Sequence, residues 1–131
     1  MIDISVKYTA TSSGMDELDH VNKAVWVEWI QTLATAHWNA VAPQDAIYRF
    51  IWVVIRHEID YRGNVGIGET VIGRTWISES PQGARFWRNV SFTGTDEKVK
   101  VQAKTNWAII DRARGRPVRV PADLPAPVPE N

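Results

Sequence analysis

The chain has 131 residues, a length that suits a single domain with one hydrophobic core. Its formal net charge is zero, with 15 basic and 15 acidic residues, whereas a general nucleic-acid-binding protein carries a basic excess. There is no cysteine, so disulfides, thiolate catalysis and cysteine-ligated metals are excluded. The sequence shows no charged-then-apolar leader and no apolar run of about 18 residues, so we expect a cytoplasmic protein with no membrane partner.

The first predicted element is a short strand at residues 2–9. A turn follows that carries an acidic group made of Asp16, Glu17 and Asp19. Asn22 is a good helix N-cap, and about eighteen residues without proline or glycine come after it, up to Pro43. At 100° per residue, the polar side chains of this helix fall within one arc of about 100°. We therefore expect other structure to cover most of its circumference.

Four long strands follow the helix and are joined by short turns. They are predicted at Tyr48–Tyr61, Glu69–Ser80, Ala84–Thr93 and Lys98–Asp111. In the first of them the odd-numbered residues form an apolar face that should lie on the helix. Its even-numbered residues begin apolar and then become charged, so the start of this strand should be covered on both faces, most simply by a second subunit.

These elements predict an α+β fold, an antiparallel curled β-sheet wrapped around one long central helix. Short turns force neighbouring strands to be antiparallel, and the helix has only the sheet to pack on. We expect one domain over residues 1–131, in which the five prolines from Pro117 onward mark a tail, 117–131, with little regular structure.

Several kinds of chemistry find no support in the motifs. The chain has no G-x-S-x-G sequence, so a serine hydrolase is disfavoured. Its glycines do not form G-x-G-x-x-G and lie between strands, so dinucleotide binding is rejected. Asp16, Asp19 and His20, together with His57 and Glu58, match no recognised ligand spacing, and we predict no metal site.

The acidic group before the helix has two explanations that the residues alone leave open. Carboxylates at a helix start are stabilised by the helix dipole, by about 0.3–1 kcal/mol each. Alternatively, free backbone N–H groups at Asn22, Lys23 and Ala24 form an oxyanion site, and a neighbouring carboxylate attacks a carbonyl or activates water.

The remaining polar candidates have a structural and a functional explanation. His37 lies on the apolar side of the helix, where a hydrogen-bonded core histidine is the favoured interpretation. The same holds for His57, although Glu58 and Asp60 are near it in sequence. Arg85 and Arg88 lie close to a hairpin turn, and a phosphate-bearing ligand could use them or the strand-face lysines, which are Lys98, Lys100 and Lys104.

The segment DELDHVNKAVWVEWIQTLATAHW, which starts at Asp16, resembles the D-x-x-G-H-V-N-N-A-x-Y motif of hot-dog-fold acyl-CoA thioesterases of the 4-hydroxybenzoyl-CoA thioesterase type. The resemblance covers nearly the whole chain and continues through RHEIDY, the Gly68-Glu69 turn, NWAIID and GRPVRVP. It departs from the family pattern at Asp19, where glycine is usual, and at Lys23, where a second asparagine is usual.

The resemblance implies a catalytic aspartate at Asp16 and backbone N–H groups at Asn22 and Lys23 that polarise the thioester carbonyl. The candidate substrate-binding residues are His20, Asp19, His57, Arg85 and Arg88. No cofactor is implied, since coenzyme A enters only as part of the acyl-CoA substrate. Members of the family form homodimers or dimer-of-dimers tetramers with sites at the subunit interface, and no nucleic-acid partner is expected.

The expected function is therefore hydrolysis of an acyl-CoA thioester to a free acid and coenzyme A, with Asp16 as general base or nucleophile. The alternative is a non-catalytic acyl-CoA or acyl-chain binding protein on the same fold, because fold alone does not determine function. A hydratase of this fold class would need an Asp/His pair near the acyl β-carbon, and no matching motif is present.

Overall fold

The computed structural model describes residues 4–11 and 20–121 of the chain. The helices and strands within these ranges are β1 Ile4–Thr9, α1 Lys23–Val41, α2 Gln44–Arg49, β2 Phe50–Tyr61, β3 Thr70–Trp76, β4 Arg85–Gly94, β5 Val99–Asp111 and β6 Arg116–Pro117. Asp16, Glu17 and Asp19, which carry the predicted acidic group and catalytic aspartate, lie outside the described residues.

The strands form one antiparallel sheet in the order β1-β3-β4-β5-β2, and β6 adds a short pairing to β5. Successive strands from β3 to β5 are hairpin neighbours, as the short turns predicted. For β2 and β3 this expectation is wrong, because β2 pairs with β5 at the edge of the sheet. The helix α1 packs on one face of this sheet through its buried residues. The predicted α+β architecture, an antiparallel sheet curled around one central helix, is confirmed.

The helix α1 begins and ends where its sequence signals place it. The Asn22 side chain accepts a hydrogen bond from the Ala24 N–H at 2.8 Å, which satisfies one of the donors left free at a helix start. At the other end Ala42 is the C-cap, directly before Pro43. The fully buried side chains span an arc of about 140° at 100° per residue, and they are Trp26, Ile30, Leu33, Ala34, His37 and Trp38. Within the described part of the chain, the covered arc of the helix is thus narrower than we expected.

The face prediction for β2 is wrong over the first half of the strand. Val54 pairs with Trp107 and Arg56 with Asn106, so Ile55 is an extra residue in a β-bulge. A bulge reverses the alternation of faces along a strand. Before it the even-numbered residues face the helix, and only after it do the odd-numbered ones. Consequently three apolar side chains that we assigned to the core are exposed, namely Ile51, Val53 and Ile55.

Two short elements were not predicted. The helix α2 occupies Gln44–Arg49, so β2 starts two residues later than expected. The strand β6 includes Pro117, and beyond it the Val120 N–H donates to the Gly83 carbonyl at 2.8 Å while the Val120 side chain is buried. The start of the proline-rich segment is therefore attached to the core. No helix in the described part of the chain is long and apolar enough to span a bilayer.

Candidate active site

The start of α1 is held rigidly against the sheet. The Val21 N–H donates to the Val65 carbonyl at 3.0 Å, and the Val21 side chain is buried. One turn along the helix, Trp26 is buried between Trp29 and Phe92, with ring centroids 5.1 and 5.2 Å away. Aromatic contacts at these separations are favourable. The helix end that presents its backbone N–H groups is thus fixed from both sides.

Two adjacent backbone N–H groups at this helix start have no acceptor among the described residues. They belong to Asn22 and Lys23. The prediction that the Ala24 N–H is also free is wrong, because it donates to the Asn22 side chain. The N–H groups of Val25 and Trp26 both reach the Asn22 carbonyl. Since the helix dipole adds positive potential here, the pair is suited to stabilising an oxyanion.

Lys23 adds a positive charge at the same end of the helix. Its Nζ lies over the ring of Tyr61, 5.2 Å from the centroid, so the C-terminal end of β2 reaches the helix start. His20 is half-buried and directly precedes Val21 in the segment that leads into the helix. These residues place the helix start, the end of β2 and the loop around Val65 in one region of the molecule.

A buried polar group separates the core into two hydrophobic clusters. One cluster contains Trp26, Ile30, Leu33 and Phe92, and the other contains Ala34, Trp38, Phe86 and Trp107. Between them His57, Thr105 and Arg88 stand side by side across β2, β5 and β4. The Nδ1 atom of His57 lies 2.8 Å from the Thr105 hydroxyl. Burial lowers the pKa of His57 below its ordinary value, which favours the neutral ring.

Arg88 is the unexpected member of this polar group. Its side chain is only 2% exposed, and its guanidinium donates to His37 Nδ1 at 2.8 Å and to the Thr75 hydroxyl at 3.2 Å. Because a guanidinium can only donate, His37 Nδ1 accepts and the ring proton resides on Nε2. His37 is thus a hydrogen-bonded core histidine, as predicted. Arg88 lies two residues from both Phe86 and Val90 on β4. The alternation of side chains along a strand therefore predicts that all three face inward.

Two of the candidate substrate-binding residues, Arg85 and Arg88, lie away from the helix start, whereas His20 directly precedes it. Arg88 contacts His37, which is 14 residues beyond Lys23 and hence about 21 Å along the helix. Arg85 is exposed where the β3–β4 hairpin enters β4, and this hairpin lies beside Trp38 rather than beside Val65. Arg88 is thus buried in the core rather than exposed near the hairpin turn, and its assignment to substrate binding stays a prediction. No group of three or more potential metal ligands occurs within residues 4–11 and 20–121.

Comparisons with known proteins give a consistent result. The model of the family described as "Acyl-ACP thioesterase N-terminal domain" matches residues 5–128. No sequence match was found among curated proteins. A hypothetical protein of Staphylococcus aureus, solved in complex with CoA, has a TM-score of 0.81 at 13% identity, covering 92% of this chain and 79% of its own. A 1,4-dihydroxy-2-naphthoyl-CoA thioesterase from Synechocystis has a TM-score of 0.76 at 12% identity, covering 91% and 90%.

A third structure represents the acyl carrier protein branch. The 12:0-ACP thioesterase from Umbellularia californica has a TM-score of 0.78 at 14% identity, and the match covers 92% of this chain but 47% of that one. These structural likenesses establish the hot-dog fold, while the finer assignment to the 4-hydroxybenzoyl-CoA type stays a prediction. Because the family model spans nearly the whole sequence, the chain belongs to the acyl-ACP thioesterase N-terminal domain family and is a thioesterase.

Proposed function

We propose that this thioesterase hydrolyses acyl-CoA thioesters at the start of α1. The observation that carries the proposal is the pair of adjacent backbone N–H groups, at Asn22 and Lys23, that have no acceptor among the described residues. In the proposed reaction they donate to the thioester carbonyl oxygen as it acquires negative charge. The buried packing of Trp26 and Val21 keeps them in place, so little reorganisation is needed.

Asp16 supplies the second component of the proposed site, the group that activates or replaces the attacking water. Six residues before the cap, it would act as general base on a water molecule or attack the carbonyl carbon itself to give a mixed anhydride. In the first route the activated water adds to the carbonyl carbon, the C–S bond breaks, coenzyme A leaves as a thiol and the acyl group is released as a carboxylic acid. In the second route the C–S bond breaks as the anhydride forms, and a water molecule then hydrolyses the anhydride, which releases the acid and regenerates Asp16. Lys23 and the helix dipole favour the negative transition state electrostatically.

An acyl carrier protein is the second candidate for the group that carries the acyl chain as a thioester and leaves as a thiol. The name of the matching family favours it. The hydrolytic step is the same for both, since each carries the acyl group as a thioester. Support for coenzyme A comes from the Asp16–Trp26 motif and from structural neighbours whose names specify CoA.

A panel of acyl-CoAs and the matching acyl carrier protein thioesters, followed with a free-thiol reagent, tests this proposal. We expect thiol release from acyl-CoA. Release only from the carrier protein thioesters would transfer the assignment to the second candidate. Saturable binding of acyl-CoA without thiol release from either set would contradict hydrolysis and favour the non-catalytic binding protein.

The active unit in this proposal is a homodimer or a dimer of dimers. Support comes from β2, a 12-residue strand at one edge of the sheet whose outward face carries Ile51, Val53 and Ile55, 37–46% exposed. An exposed, long and apolar edge strand is a ready template for pairing. A second copy joined there would bring two helix starts into one assembly and would also cover the apolar face.

A further inference from the structure

A cavity of about 250 Å³ lies between the second half of α1 and the sheet, far from the proposed thioester site. Its walls include five aromatic side chains, Trp38, Phe50, Trp52, Phe86 and Trp107. Among the residues that the structure describes, the charged ones lining it are two arginines, Arg88 and Arg112, and none is acidic. The cavity is therefore apolar in body and positive in charge.

Arg88 has no counter-charge in the described part of the chain. The partners of its guanidinium, the neutral His37 ring and the Thr75 hydroxyl, carry no negative charge. Its buried Nε has no hydrogen-bond acceptor among these residues. Burial lowers the pKa of Arg88 to about 10, which still leaves it protonated at neutral pH. A buried, uncompensated cation is costly, so a structure that retains one gains by binding an anion beside it.

We propose that this cavity is a binding site for an apolar carboxylate whose charge is balanced by Arg88. The fork of guanidinium donors matches the geometry of a carboxylate. The aromatic walls would surround the hydrocarbon or ring that bears it. The volume lies just below the usual range for ligand pockets, about 300–1,000 Å³, so a short acid or the end of a longer chain fits.

Two sources share this chemistry. The carboxylate can be the far end of an acyl group whose thioester lies at the helix start, since Ala34 at the cavity is 11 residues, or about 17 Å, beyond Lys23. It can also belong to a free carboxylic acid. Only the first source rests on the proposed function, because binding of a free acid requires no hydrolysis.

Hexanoate tests the site directly. Its binding can be followed by tryptophan fluorescence, because three tryptophans line the cavity. We expect hexanoate to bind more tightly than hexan-1-ol, and the substitution Arg88→Met to weaken hexanoate binding by about 10- to 100-fold, the loss expected for a charge-assisted hydrogen bond. The substitution should leave hexan-1-ol binding unchanged.

Two further variants complete the test. Arg88→Lys keeps the charge and should retain part of the affinity, which separates loss of charge from loss of folding. Arg114→Met removes the same charge from an exposed turn and should bind hexanoate like the unmodified chain. Absence of hexanoate binding at millimolar concentration, or equal binding by the unmodified chain and Arg88→Met, would overturn the proposal.

Thioesters distinguish the two sources. Dicarboxylyl-CoAs from adipoyl to hexadecanedioyl are compared with monocarboxylic acyl-CoAs of the same length. A kcat/KM preference for a dicarboxylyl-CoA that Arg88→Met removes would identify the far end of the acyl group as the anion. Equal kcat/KM values, together with Arg88-dependent binding of hexanoate, would identify a free acid. Because binding is measured without turnover, an inactive chain leaves the hexanoate result intact.

Discussion

His57 stands half-buried on the inward face of β2, hydrogen-bonded to Thr105. Its lowered pKa, caused by burial, means that the folded protein resists protonation of this ring. On unfolding the ring reaches water and regains an ordinary pKa of about 6.5. Below that value the unfolded chain binds more protons than the folded one, so this group reduces the unfolding free energy as the pH falls.

The substitution His57→Gln tests this contribution, since glutamine retains a side chain that can hydrogen-bond Thr105 but does not titrate. Urea unfolding would be compared at about pH 7.5 and about pH 5.5, on either side of the ordinary histidine pKa. We expect the unmodified chain to lose more stability on acidification than the variant does. An identical pH dependence in both chains would rule out His57 as the cause.

At the scale of elements, Gly73 is a position at which β3 lies close to α1. A Cβ added there would lie 2.8 Å from Phe92 Cε1 and 3.1 Å from Leu33 Cδ2, and both of those side chains are fully buried. Core atoms have little room to move because protein interiors are close-packed. The glycine thus sets the separation between the helix and the sheet.

Gly73→Ala should therefore destabilise the protein by about 1–3 kcal/mol, the usual cost of overpacking a core. Urea unfolding measures this loss of unfolding free energy. Gly94→Ala is the matched control, because its added Cβ would meet the flexible side chains of Lys100 and Asp96, which can move aside. A destabilisation of Gly73→Ala no larger than that of Gly94→Ala would contradict the close packing described here.

The elements also show what the sequence could predict and where it fell short. The helix α1 and the faces of β4 and β5 follow from short-range patterns, since Asn22 caps, Pro43 ends and the strands alternate. The bulge at Ile55 has no such signal, because the run of apolar residues from Phe50 to Ile55 alternates equally well in either register. For the same reason the exposed and buried faces of β2 could be told apart only by its pairing with β5.

The site was predictable in part. The N–H groups of Asn22 and Lys23 follow from the position of the N-cap, and the structure adds that Ala24 is already hydrogen-bonded. The pairing of Arg88 with His37 joins residues 51 positions apart in sequence, and only the packing of β4 under α1 brings them together. Long-range contacts of this kind leave little trace in local pattern.

At the scale of the whole molecule, the exposed apolar face of β2 predicts self-association. Val53→Lys places a charge in the middle of that face and should convert the oligomer to a monomer, as measured by light scattering coupled to size-exclusion chromatography. Ile72→Lys adds the same charge at an exposed position of β3 and should leave the oligomer intact. A monomeric unmodified chain, or a Val53→Lys variant of unchanged mass, would contradict this prediction.

The most direct test of the proposed thioester site is the kcat of Asp16→Asn with the acyl thioester that the substrate panel identifies. We predict a loss of about 10²–10⁴, the range for a general acid–base role. Glu17→Gln removes the neighbouring charge and should retain nearly the full rate, which separates the role of Asp16 from that of the acidic group as a whole. A loss of only a few-fold in Asp16→Asn would contradict a thioester site built from this aspartate and the start of α1.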